Sequence, residues 1–180
     1  MADSPEEPRL DTRPVVLYPD PVLRRKALPV RAVDDTIRAL VEEMFRLMDQ
    51  EDGAGLAAPQ IGESLRIFVT GASDRGGERK AYINPVLVDV TGDLESMDEG
   101  CLSLPEVRGS VRRPTTVTIR ALGVDGKEFT ETSSDFAARV WQHEFDHLEG
   151  VLIMDKMSPI DRLRVRRALR DLKAAADEGP

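Results

Sequence analysis

The chain has 180 residues, of which 41% are apolar and 32% charged. That length fits one domain with an ordinary buried core and argues against two. Its 25 basic and 33 acidic side chains leave a net charge of −8, which speaks against general nucleic-acid binding, and no apolar run can span a bilayer, so neither DNA nor a membrane is an expected partner.

Residues 1–13, acidic and proline-containing, lack the basic-then-apolar order of a secretory signal and are expected to be a disordered extension. One domain is expected over 14–176, with a flexible tail at 177–180. Pro14 to Val33 carries several prolines and predicts an extended, turn-rich lead-in. Asp34 or Asp35 then caps a predicted helix whose apolar residues Ile37, Leu40, Val41, Met44, Leu47 and Met48 share one face, stopped by Gly53. GAGLAAPQIG (Gly53–Gly62) is too rich in glycine and proline to be either regular element. Leu65–Thr70 predicts a strand, GASDRGGERK a surface loop, and Ala81–Val90 more extended chain, broken at Pro85. Thr115–Leu122 and Lys127–Thr132 flank Gly-Val-Asp-Gly, a hairpin signal. Ser133 or Ser134 is the expected cap of a second helix ending near Gly150, and a last helix is expected from about Ser158 to Ala176. Helix, strands, helix, helix, without regular alternation, predicts an α+β fold.

The chain has two histidines, His143 and His147, and one cysteine, Cys101. A lone cysteine forms no intramolecular disulfide, which points to a reducing, cytoplasmic setting; in the plainest case it is a buried apolar side chain. Phe136, Val140, His143 and His147 fall on one face of the second helix, a stripe that two core histidines bonded to backbone carbonyls would satisfy. With Glu144 beside the first, however, the run is an H-E-x-x-H pattern. Two imidazoles one turn apart converge on a metal there, and the glutamate acts as general base. A catalytic centre takes a third protein ligand and keeps an open position. Glu149 is too close on the same helix, and Asp155, Asp161, Asp171, Asp177 and Glu178 sit in no ligand motif. Upstream, Cys101 follows Gly100, which lets backbone pass close, and its thiolate would be a strong, soft ligand. A Cys101–His143–His147 set would use every cysteine and histidine in the chain. Two readings compete. An H-E-x-x-H metallopeptidase cleaving peptide bonds lacks a downstream third ligand, and a closed structural metal site lacks a fourth ligand and leaves Glu144 without a task.

GAGLAAPQ (Gly53–Gln60), EGCLS (Glu99–Ser103) and QHEFDH (Gln142–His147) resemble the three signature motifs of the peptide deformylase family, in the same order and at similar separations. YPDPVLRRKALPV and LEGVLIMDKM resemble it too, so the likeness covers about Val15 to Ser158. It implies mixed or antiparallel sheets packed around a central metal-binding helix, with an N-terminal and a C-terminal helix. It also implies a hydrolase that removes the formyl group from the N-terminal formyl-methionine of new bacterial polypeptides.

By position, the resemblance implies Cys101, His143 and His147 as metal ligands and Glu144 as catalytic acid and base. Gln60 and the backbone amide of Leu102 match the groups that hold the formyl oxygen as it becomes an oxyanion. Gly55, Gly100 and Arg108 match positions that hold the peptide. Without the family, Gln60 is a solvated loop residue and Arg108 a surface charge. Val107–Val111 is expected to pair with the peptide by strand addition, and Val140 to line the pocket for the methionine side chain. Ala54 departs from the bulkier aliphatic residue common in the family, which puts the shape of the pocket rim in question. One divalent ion is implied, iron(II), with zinc, nickel or cobalt able to substitute. The last helix sets Arg162, Arg164, Arg166, Arg167, Arg170 and Lys173 against Asp161 and Asp171. The family associates such a helix with ribosome docking, through RNA phosphates; a solvated face is the plainer alternative.

Overall fold

The computed structural model describes residues 13–71 and 79–178. The expected N-terminal extension apart from Arg13, most of the GASDRGGERK loop and the last two residues lie outside this range. Arg13 itself pairs with Glu43 and Glu63.

Helix α1 spans Asp35–Gln50, with Asp34 accepting a hydrogen bond from the Ile37 amide at 3.0 Å. Its apolar stripe buries Val41, Met44, Phe45, Leu47 and Met48. The glycine-rich stretch that follows is more regular than its composition predicts. Gly55–Ala57 forms strand β1 and Ala58–Ile61 a 3-10 turn, because small side chains let β1 sit fully buried against Phe68–Thr70.

Strand β2 (Ile67–Thr70), β3 (Lys80–Cys101), β4 (Leu104–Leu122) and β5 (Glu128–Ser133) complete one antiparallel sheet in the order β1-β2-β3-β4-β5. Pro85 does not break β3. The pairing shifts between Ile83 and Val86, so Pro85 falls in a bulge where its missing N–H costs no ladder bond. Beside it, Asn84 (φ 49°) ties down the lead-in through Val30 N and O, each at 2.8 Å. Further shifts bend β3 and β4 along their length. The hairpin turns at Leu102 and Ser103. Cys101 pairs with Leu104 while Gly100 pairs with Arg108, so the intervening residues of β4 bulge out around Glu106, at φ 63°.

Helix α2 spans Phe136–Leu148. Its cap is Asp135 rather than Ser133 or Ser134: the carboxylate accepts from the Ala137 amide at 2.9 Å, and Ser133 Oγ donates to that carboxylate. A carboxylate also suits the positive end of the helix better than a hydroxyl. The expected last helix is two, α4 (Pro159–Arg164) and α5 (Arg166–Glu178), after a short α3 (Ile153–Lys156). The break falls at Val165, which buries itself among Tyr18, Leu104 and Val111.

The α+β class is as the element order predicts, and the central second helix is as the family resemblance implies. Alternation along the sheet explains the layers. Leu56, Ile67, Val69 and Ile83 face α1, while Phe68, Tyr82, Val117 and Ile119 face Ala138, Trp141 and Leu148 on α2. The lead-in straps these parts together. Val16 N donates to Gln60 O (2.7 Å), Tyr18 N to Ser103 O (2.9 Å) and Ala27 N to Leu148 O (2.8 Å).

Candidate metal centre

Cys101 ends β3 at the hairpin tip, and His143 and His147 lie one helical turn apart on α2, facing it. Their ligand atoms all lie within 4.8 Å of one another. Cys101 Sγ is 3.3 Å from His147 Nε2. His143 Nδ1 is engaged by Glu99 Oε2 at 3.1 Å, which leaves Nε2 as its open ring nitrogen. Two of the downstream acids weighed as third ligands are used elsewhere. Asp155 binds Arg24 and the Leu152 amide, and Asp161 binds Ser158 and the Ser110 amide.

The electrostatics fit a cation. Burial would lower the pKa of His143, but Cys101, Glu99 and Glu144 outweigh it and hold the group well above its usual range. Positive charge is thus favoured where a metal would replace the ring proton. Burial, with His143 and Arg113 nearby, lowers the pKa of His147 and keeps it a neutral donor. A thiolate and two imidazoles make a donor set suited to zinc or a mid-row transition metal. Glu144 Oε2 is buried without a hydrogen-bond partner among the described residues. Such an atom carries a desolvation cost that a ligand or water at the centre would relieve.

Glu144 is 3% exposed, and burial chiefly pushes its pKa up to about 7, against the pull of His143. Its position depends on Gly55, where an added Cβ would lie 2.7 Å from Glu144 Oε1. Gln60 is 2% exposed rather than a solvated loop residue. Its Oε1 accepts from the Ala57 amide at 2.9 Å, which aims Nε2 at Ser103 Oγ (3.2 Å) and Cys101 Sγ (3.6 Å). A donor is therefore fixed beside the ligand cluster. Leu102 follows Cys101 in the turn and carries its amide with it.

A cleft of ≈ 510 Å³ opens onto this cluster. Gly55, Gln60, Gly100, Leu102, Arg108 and Val140 line it, as do Ala54 and Val107. His143 forms part of its wall, whereas His147, at 2% exposed, lies behind. Arg108 is exposed and paired with Asp98 at 2.8 Å, and a Cβ at Gly100 would lie 2.6 Å from its Nη1.

Sequence reasoning gave no role to the shell behind the ligands. Glu99, 7% exposed, accepts from Arg113 Nε (2.7 Å) and Nη2 (2.9 Å), from Arg139 Nη1 (2.7 Å) and from His143. Arg113 also reaches Asp146 at 2.8 Å. Burial opposes ionisation of Glu99, but His143 and Arg113 overcome it and hold the carboxyl well below the usual range. The signals were periodic: Glu99 precedes Cys101 by two on a strand, and Arg139 precedes His143 by four on a helix.

A family model described as polypeptide deformylase matches residues 12–163. The peptide deformylase of Thermotoga petrophila is 43% identical over 156 residues, covering 87% of this chain and 93% of that one. The chloroplastic peptide deformylase 1B of Oryza sativa subsp. japonica is 42% identical over 180 residues, covering 98% of this chain and 65% of that one. A crystal structure of peptide deformylase from Plasmodium falciparum superposes with a TM-score of 0.87 at 37% identity, covering 92% of this chain and 98% of that one. Sequence and fold agree across most of the chain, and it belongs to the polypeptide deformylase family.

Proposed function

We propose that the chain hydrolyses the N-terminal formamide of formyl-methionyl polypeptides as they are made, releasing formate and a free amino terminus. The observation that carries this reading is the convergence of Cys101, His143 and His147 at the head of a peptide-sized cleft, with Glu144 buried beside them. Cys101, His143 and His147 would hold a divalent ion, which would supply Lewis acidity and make water a nucleophile at neutral pH. Glu144 takes the proton from the attacking water and returns it to the departing amine as the C–N bond breaks. Gln60 Nε2 and the Leu102 amide receive the formyl oxygen as charge develops on it, each such donor contributing roughly 3–4 kcal/mol. Gly100 and Arg108 hold the peptide backbone, and Val140 lines the methionine pocket, whose rim Ala54 leaves wider. The strand addition expected along Val107–Val111 does not extend to its far end, where Ser110 already bonds Asp161 and Ser158 and Val111 bridges Met157.

Formate release from formyl-Met-Ala-Ser tests the reading, with metal content measured in parallel. The Glu144→Ala variant is expected to keep its metal and lose about 10²–10⁴-fold in kcat. Normal turnover by that variant would remove Glu144 from the mechanism.

The same reading takes iron(II) as the native ion, since the soft thiolate with two imidazoles suits it and leaves zinc, nickel and cobalt as substitutes. Activity of the iron form is then expected to decay in air while nickel and cobalt forms persist. Equal persistence of all forms would count against iron. A cytoplasmic, bacterial-type setting goes with it, because the one cysteine is a ligand and must stay reduced; the chloroplastic rice relative marks organelle translation as the other setting. The basic C-terminal segment is read as the ribosome-facing surface.

A further inference from the structure

Arg139 takes no part in the chemistry above, yet it is 7% exposed, lines the cleft wall and sits one turn before His143 on α2. Its guanidinium has three fixed acceptors. Nη1 donates to Glu99 Oε1 at 2.7 Å and to Val111 O at 3.0 Å, and Nη2 donates to Glu95 O at 2.7 Å. Glu95 and Val111 lie on β3 and β4, the two strands of the hairpin that presents Cys101. One side chain of the histidine-bearing helix therefore grips both strands of the cysteine-bearing hairpin, and the carboxylate that orients His143.

We infer that Arg139 is a positioning residue for the metal centre: it fixes α2 against the β3–β4 hairpin and aims Glu99 at His143, so that Cys101, His143 and His147 arrive preorganised. Arg113 cannot do this alone. Its fork holds Glu99 from β4 and its Nη1 donates to Asp146 at 2.8 Å, which ties the hairpin to α2 one turn after His143 but not to the turn before it. Arg139 holds the turn before His143, sharing Glu99 Oε1 with Arg113 while its other donors hold a carbonyl of each strand, so the two arginines bracket the histidine. Partners that orient a ligating histidine typically change metal affinity 10–100-fold when removed. The planar, multi-donor fork is also what lysine lacks, so an Arg-to-Lys change here is not conservative.

This inference rests on the metal-centre reading and is independent of the substrate. The test uses cobalt-loaded protein, following the visible d–d spectrum, the rate of cobalt release to excess EDTA, and the Tm. Arg139→Met keeps the stem and removes every donor; Arg139→Lys keeps one charge and restores part of the grip. Val117→Ala, in the apolar layer between sheet and α2, is the control for simple destabilisation. The expected result is cobalt release about 10–100-fold faster in Arg139→Met, with a shifted d–d spectrum. Arg139→Lys should fall between, and Val117→Ala should lower the Tm while releasing cobalt at the original rate. If Arg139→Met fails to fold, faster release and a shifted spectrum in Arg139→Lys support the inference, and unchanged values overturn it. Release and spectrum unchanged in Arg139→Met, or altered equally in Val117→Ala, would also overturn it. Unaltered protein that binds no stoichiometric cobalt would instead sink the metal-centre reading itself.

Discussion

The Glu144 carboxylate is buried with one oxygen unpartnered, and burial lifts its pKa to about 7 from an ordinary 4.5. A carboxyl raised in this way favours the folded state least when it is ionised. Its contribution is intact below about pH 4.5 and is lost as pH rises toward 7, which amounts to about 3 kcal/mol at pH 8. The metal-free Glu144→Gln protein should therefore exceed the unaltered metal-free protein in stability at pH 8, by about 2–3 kcal/mol. Denaturant unfolding at several pH values should show the gap closing toward pH 4.5; a gap that ignores pH would mean Glu144 is not held ionised at a cost. Gly55 is the complementary case, since Gly55→Ala would push a methyl to 2.7 Å from Glu144 Oε1. The carboxylate must shift, and a displacement of that order costs about 10²-fold in turnover. Metal content should stay whole. A Gly55→Ala protein with ordinary kcat would show that the carboxylate has room the structure does not give it. At this scale much was legible before the structure. Rarity and spacing exposed Cys101, His143 and His147, because ligand chemistry restricts residue type. Glu99 and Arg139 were hidden because acids and arginines are common, and only knowing which chain segment is strand or helix places them behind a ligand.

Elements were legible where one periodicity governed one face. The stripe from Ile37 to Met48 gave α1, and Phe136 to His147 gave α2, since in each a single apolar face meets the sheet. Strand β3 defeated the same logic twice. Pro85 looked like a break within it, but a bulge absorbs a proline without interrupting the ladder. Val86, Val88 and Val90 alternate as a buried face would, yet they are 45%, 52% and 40% exposed. Alternation reveals a strand without revealing which side is covered, and coverage is decided by helices far away in sequence. The cap of α2 failed for a different reason: Ser133, Ser134 and Asp135 all carry capping side chains, and the choice among them depends on where β5 releases the chain. The bulged residues around Glu106, which shape the cleft, are signalled only by Pro105, which does not say which strand it interrupts.

Across the whole molecule, a net charge of −8 surrounds a basic C-terminal segment that the family match, ending at 163, mostly does not cover. Its cations are unequal. Arg162 bonds Asp155 O, Arg164 pairs with Asp161, Arg167 lies 3.8 Å from Asp171, and Lys173 sits over the Tyr18 ring. Arg166 and Arg170 are exposed and make no ion pair among the described residues, so they are the two best placed to meet phosphate. Deleting Pro159–Pro180 would be a poor test, because Asp161 accepts from the Ser110 amide and Val165 is buried against β4; both would be lost with the cations. Arg166→Ala with Arg170→Ala removes charge and leaves that packing intact. If this face docks on ribosomal RNA, the pair should weaken ribosome binding and lower its salt slope by about one for each side chain. Formate release from formyl-Met-Ala-Ser should be unchanged, since neither residue lines the cleft. Ribosome affinity and salt slope that both survive the double substitution would leave α5 a solvated helix, and the nascent chain would have to reach the cleft without it.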